Sequence, residues 1–236
     1  MEFNNLNNDE KQNSSSDKDS KKISLEFALL IGSAFILSFI PIINIPFTWI
    51  MTFFHEISHG IAALITGGSV EKIHLHLRGS GLCYTKGGIR FIISNAGYIG
   101  AVLWGIMIYK MADETSHKKI NILAIFLATL IAISAILYGR DIVTWIILLI
   151  LLGLFISIIK LQEAYIMKIA LKFIGTYVLL DAVRAPLYLI DGRHYGDGAK
   201  LADLTSIPEI IWVLLWFAIG IIGVLYLLKI NKKLDR

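Results

Sequence analysis

Apolar runs of about twenty residues recur along this chain between short polar stretches, and a run of that length has few stable folds open to it. Inside a bilayer no water serves the backbone N–H and C=O groups, so each segment must satisfy them internally, as a helix does. About seven such runs lie at residues 23–45, 47–66, 91–111, 120–138, 142–159, 161–190 and 208–228. They raise the hydrophobic share of the 236 residues to 56%, against roughly 45–50% in soluble domains. The pattern predicts an all-α polytopic membrane protein of about six to seven transmembrane helices. Residues 1–22 are rich in Asn, Ser, Asp and Lys, cannot bury an apolar face, and are expected to form a disordered tail. A membrane-embedded domain over 23–228 and a basic tail over 229–236 complete the division. No small-residue cleavage site ends the first run, so it is expected to stay as an uncleaved span of a multi-pass protein of the cell membrane.

The net charge of +4 sits mostly at the ends of the runs, as in membrane-protein loops generally, which points to a lipid bilayer and away from nucleic acid. A single cysteine, Cys83, excludes an intramolecular disulfide and any cysteine-built zinc cluster. Orientation is pulled two ways. The basic 67–90 loop and the N-terminal lysines favour a cytoplasmic N-terminus, yet an odd number of spans then puts the basic C-terminal tail outside. A partly re-entrant 161–190 segment removes that conflict.

Within the second run stands His55-Glu56-Ile57-Ser58-His59-Gly60. Histidines four apart share one helix face, so two neutral imidazoles there can bind one zinc ion. Glu56, beside the first of them, can take a proton from a metal-activated water, the pattern of HExxH zinc hydrolases. The bland alternative is a helix with two satisfied histidines and a buried Glu. Against it stands cost: a charge at the centre of a membrane-length helix costs roughly 2.5–3.5 kcal/mol and needs a partner.

After Gly67-Gly68 the chain changes character. Val70, Ile73, Leu75 and Leu77 alternate imperfectly with Glu71, His74, His76 and Arg78, which predicts a short β-like hairpin following the HExxH helix. An open edge on it would let an extended peptide pair by strand addition. His74 and His76 fit a solvated strand face better than a metal site. In the third run, Gly97, Gly100 and Gly105 allow close helix approach. Asn95 in that run can hold a substrate backbone or make an interhelical hydrogen bond. Asp181 and Arg184, three apart in the 161–190 segment, suit an internal ion pair.

A catalytic zinc takes three protein ligands and keeps a fourth position open. His55 and His59 are two; the third is sought among Asp181, Asp191, Asp197, Glu163, His74, His76 and His194. Asp197 lies between two glycines and so can approach a metal without crowding. Asp191 with Gly192 beside it is nearly as well placed, and Asp181 has a competing partner in Arg184.

The HExxH helix, the Gly67-Gly68 stop with its strand-like loop, and Ser94-Asn95-Ala96-Gly97-Tyr98-Ile99-Gly100 together resemble site-2-protease-type intramembrane zinc metallopeptidases. Gly196-Asp197-Gly198-Ala199-Lys200-Leu201-Ala202-Asp203-Leu204-Thr205, then Pro208 and Trp212, is similar to the closing motif of a small branch of that family. The resemblance runs from Trp49 to Trp216. It implies zinc on His55 and His59, Glu56 as general base, and Asp197 as third ligand. Better-studied members carry Leu-Asp-Gly, for which Ile190-Asp191-Gly192 is the nearest stretch here. The expected activity is hydrolysis of a peptide bond in a membrane-tethered peptide or protein, with Asn95 in contact with substrate. The alternatives are a non-catalytic metal- or partner-binding membrane protein of the same fold, and a transporter. Strict HExxH spacing and the lack of an internal repeat count against the last.

Overall fold

A computed structural model describes residues 25–113 and 116–233; the expected tail over 1–22 and the last residues of the basic tail lie outside them. Helices α1 (Leu25–Leu37) and α2 (Pro41–Ile65) meet at 111°. Sequence alone places a first span over 23–45 and lets Pro41 and Pro46 mark its exit. Instead Pro41 opens α2 and Pro46 lies inside it. Proline has no N–H to lose in a helix's first turn and its fixed φ suits that position, so Pro41 begins a helix as readily as it ends one.

At its far end α2 is closed by Thr66, whose N–H bonds the Ala62 carbonyl at 3.1 Å, and Gly67 then turns the chain with φ +82°. Strands β1 (Ser69–Leu75) and β2 (Gly81–Lys86) form the expected antiparallel hairpin, with Ile73 opposite Cys83 and Leu75 opposite Gly81. A register irregularity between Val70 and Lys72 accounts for the imperfect alternation. The outer side of β1 is engaged, since Ile73 bridges Gly139 and the Leu75 N–H donates to Thr144 Oγ1 at 2.9 Å.

Helices α3 (Arg90–Ala112), α4 (His117–Tyr138) and α5 (Ile142–Ile159) follow, and Asp141 caps α5 by accepting from the Thr144 N–H at 2.8 Å. After them come α6 (Ala164–Arg184), a 3-10 turn (Ala185–Leu189), the short α7 (Asp197–Thr205) and α8 (Glu209–Lys233), which carries into the expected basic tail. Among the described residues four helices, α3, α4, α5 and α8, are long and apolar enough to cross a membrane. The α1–α2 pair makes a fifth if it is one broken span. The chain is therefore an all-α, multi-span membrane protein with a short hairpin.

Helices α3 and α6 pack backbone to backbone. A Cβ on Gly105 would lie 2.9 Å from the Gly175 carbonyl, and one on Gly175 would lie 2.7 Å from the Tyr109 nitrogen. Small residues matter here because lipid gives helices no hydrophobic reason to associate, leaving contact and hydrogen bonding to do it. At one end of the bundle Phe27, Tyr109 and Leu227 share a buried cluster, which puts the start of α1 beside the end of α8. There Lys172, 2% exposed, donates to Glu26 at 2.7 Å and Asp113 at 3.2 Å, while Lys168 pairs with Asp113 at 2.7 Å. Asp181 and Arg184 interact electrostatically but make no ion pair within 4 Å; Arg184 donates to Ser38 Oγ at 2.5 Å and to the Tyr188 hydroxyl at 3.1 Å.

Candidate metal centre

One helical turn sets His55 and His59 on the same face of α2, with Nε2 atoms 3.1 Å apart. The Nδ1 of His59 stands 2.6 Å from the Ile93 carbonyl on α3, an acceptor, so Nδ1 carries the proton and Nε2 presents a lone pair. Asp197 enters from 142 residues away, at the first position of α7. Its Oδ2 lies 3.2 Å from His55 Nε2 and 3.0 Å from His59 Nε2. Its other oxygen, Oδ1, accepts from Lys200 Nζ at 3.1 Å. Burial opposes ionisation of Asp197, but protonated imidazoles outweigh it by charge and hydrogen bonding and hold the carboxyl well below the usual carboxylate range; a metal ion on the imidazoles would take the place of those protons.

The donor set fits zinc. Bonds of about 2.0–2.2 Å in a tetrahedron place neighbouring donor atoms on the order of 3.3 Å apart, close to the separations here. Two imidazole nitrogens and a carboxylate oxygen within 4.8 Å of one another, in a buried place, form a set that a cation balances.

Glycine makes room for it. A Cβ on Gly97 would lie 2.5 Å from the Nε2 of both histidines, so the α3 backbone lies directly against the imidazoles. One turn on, a Cβ at Gly100 would meet Ser58 Oγ at 2.2 Å. Glu56, 5% exposed, faces β2, where Gly81 has no side chain to fill the gap; a Cβ there would be 2.9 Å from Glu56 Oε1. Among the described residues the Glu56 carboxylate takes no hydrogen bond. Tyr98 meets His55 edge-on at 4.5 Å between ring centroids and stacks on Trp216, also at 4.5 Å. Asn95 accepts from the Trp216 indole N–H at 3.2 Å and donates to the Phe91 carbonyl at 3.0 Å, the interhelical bond that the sequence left open as its other role.

The other third-ligand candidates lie apart from the cluster. Asp191 pairs with Arg193 at the surface, through Nε at 2.7 Å. His194 lies between Asp203 at 3.2 Å and Glu209 at 3.4 Å, and His74 lies 3.7 Å from Asp141. Glu163 precedes α6 at its N-terminal end. Burial pushes the Cys83 thiol up to about 12, which suits the incidental role expected of it. Sequence reasoning missed Lys200 and Tyr98. The i,i+3 spacing of Asp197 and Lys200 was a signal for the first; nothing in spacing announced the second.

A profile of the Peptidase M50B-like family matches residues 28–227. The chain belongs to the M50B-like peptidases. This is a site-2-protease-like branch of intramembrane metallopeptidases, and the His55-Glu56-x-x-His59 arrangement with Asp197 matches the HExxH-type zinc-protease active site of an M50-family fold. The M50B chain is accordingly a zinc metalloendopeptidase. Comparison with curated proteins and with solved structures finds no significant match.

Proposed function

We propose that this M50B peptidase cuts a membrane-tethered peptide or protein within or beside the bilayer, using His55, His59 and Asp197 to hold zinc and Glu56 as general base. The observation that carries the reading is the convergence of three donor atoms, 3.0–3.2 Å apart, from helices α2 and α7. Zinc bound there would polarise a scissile carbonyl and bring the pKa of a coordinated water toward about 7. Glu56 takes a proton from the attacking water at a carboxylate oxygen and returns it to the leaving amine. Its buried carboxylate, which takes no hydrogen bond among the described residues, supports that role. The ring of Tyr98 and the stacked Trp216 keep bulk water from the imidazoles. Asn95 steadies the substrate through its second Nδ2 hydrogen, the first being spent on Phe91. The substrate lies extended along the outer edge of β2, which has no partner strand among the described residues and passes Glu56 at Gly81.

Residues 23–228 act as one membrane-embedded unit between two polar tails. The α1–α2 pair crosses once and α6 supplies a sixth crossing, which brings both chain ends to the same side. The lysines flanking both ends assign that side to the cytoplasm of a cell membrane. Thiol labels placed singly at either tail should react only from the cytoplasmic side; opposite sides for the two tails would refute the even count.

The central test is Glu56→Gln. The variant should hold zinc as the wild type does and lose about 10²–10⁴-fold in cleavage rate. Membrane fractions from cells making either form can be compared for fragments cut in or next to a transmembrane segment. Such fragments should arise with the wild type alone; equal fragments from both forms would remove Glu56 as the base.

A further inference from the structure

The short helix α7 does more than deliver Asp197. Gly196 enters it at φ +104°, a conformation side chains disfavour, and Gly198 lets Glu209 pack so close that a Cβ would lie 2.8 Å from its Cγ. Leu201 is fully buried with Tyr98, Trp212 and Trp216, and anchors the helix to α3 and α8. Lys200 precedes that anchor, and its half-exposed side chain folds back over the first turn to Asp197. The carboxylate is thus divided. Oδ2 faces both imidazoles at 3.0–3.2 Å, and Oδ1 is held by the ammonium at 3.1 Å.

An ionised carboxylate can bind a cation through one oxygen or both. A second Asp197 oxygen on the metal would occupy the position that a catalytic zinc site keeps open. We propose that Lys200 is a positioning residue that keeps Asp197 a one-oxygen ligand, so that the open position stays free for water and substrate. The inference rests on the metal-centre reading above. Its rival is an ordinary i,i+3 pair on a solvated helix face, which leaves a metal's surroundings untouched.

The test uses the detergent-purified full chain loaded with zinc or cobalt(II), as wild type, Lys200→Met and Lys200→Arg. Zinc X-ray absorption should show one additional oxygen donor in K200M, and the visible bands of four-coordinate cobalt should weaken in that variant. Arginine keeps a cation within reach of Oδ1, so K200R should retain the wild-type spectra. Cleavage by K200M should fall about 10–100-fold in kcat with little change in KM. Wild-type spectra from a metal-loaded K200M would overturn the proposal. A wild type that binds no metal would instead overturn the metal reading, and this proposal with it. Because Lys200 is half exposed and buries no core contact, K200M should stay monodisperse, and K200R guards against a fold defect.

Discussion

Two buried polar clusters lie at different depths along α3, and they are built on opposite logic. From Gly97 to Tyr109 the helix rises about 18 Å. Near Gly97, two imidazole nitrogens and a carboxylate oxygen of His55, His59 and Asp197 converge within 4.8 Å of one another, while the nearby ammonium of Lys200 is held by the other Asp197 oxygen. Near Tyr109, Lys172 lies between Glu26 and Asp113, Lys168 shares Asp113 Oδ1 with it, and the Tyr109 hydroxyl donates to Asn231 at 3.0 Å. The second cluster closes on itself: every cation has its anion. The first is complete only with something added. In a bilayer, where an unpaired polar group is costly, that imbalance distinguishes a site from a staple.

The comparison breaks most sharply at Gly97. Alanine is the better helix former by about 1 kcal/mol, so Gly97→Ala should not weaken α3 as a helix. Its Cβ, however, would stand 2.5 Å from both imidazole Nε2 atoms, where ordinary contacts need more than 3 Å. Zinc per purified chain should fall from one to near zero while the thermal transition moves little. Gly153→Ala on α5 is the control, since nothing lies within 4 Å of a Cβ there. Full zinc in G97A would mean that the imidazoles do not meet the metal where they now face each other.

The two clusters differed as much in legibility. The HExxH ligands lie four apart on one helix and could be read directly. Asp197 was favoured by its flanking glycines and by family likeness, and the hairpin by alternation and glycine punctuation. The α1–α2 bend was misplaced because proline both ends and begins helices, and only packing decides between them. The span count is legible only coarsely for a related reason: α1 and α2 form a bent pair, and α6, interrupted by Lys168, Lys172, Asp181 and Arg184, is not among the four helices long and apolar enough to cross a membrane, though it packs against α3. Lys172 and Glu26 pair across 146 residues, a separation at which no periodicity survives. Spacing reveals partners on one element; partners brought together by the fold leave no trace in it.

The staple sharpens the comparison with a smaller effect. Lys172→Met removes the cation from between Glu26 and Asp113, and methionine fills much of the same volume. Breaking one side of a fully buried pair costs about 3–5 kcal/mol; Glu26 is 24% exposed and Asp113 keeps Lys168, so about 2–3 kcal/mol is expected here. A lower thermal midpoint in detergent, with zinc still at one per chain, is the predicted result, because Lys172 touches no ligand. Loss of zinc would show the two clusters to be coupled along α3. The double variant Glu26→Leu with Lys172→Met then makes the stronger demand. A closed ion pair replaced on both sides by apolar residues of similar size is often neutral or stabilising, so stability should return toward the wild type. No apolar replacement can do the same for His55, His59 and Asp197, whose arrangement serves a cation and not the packing around it.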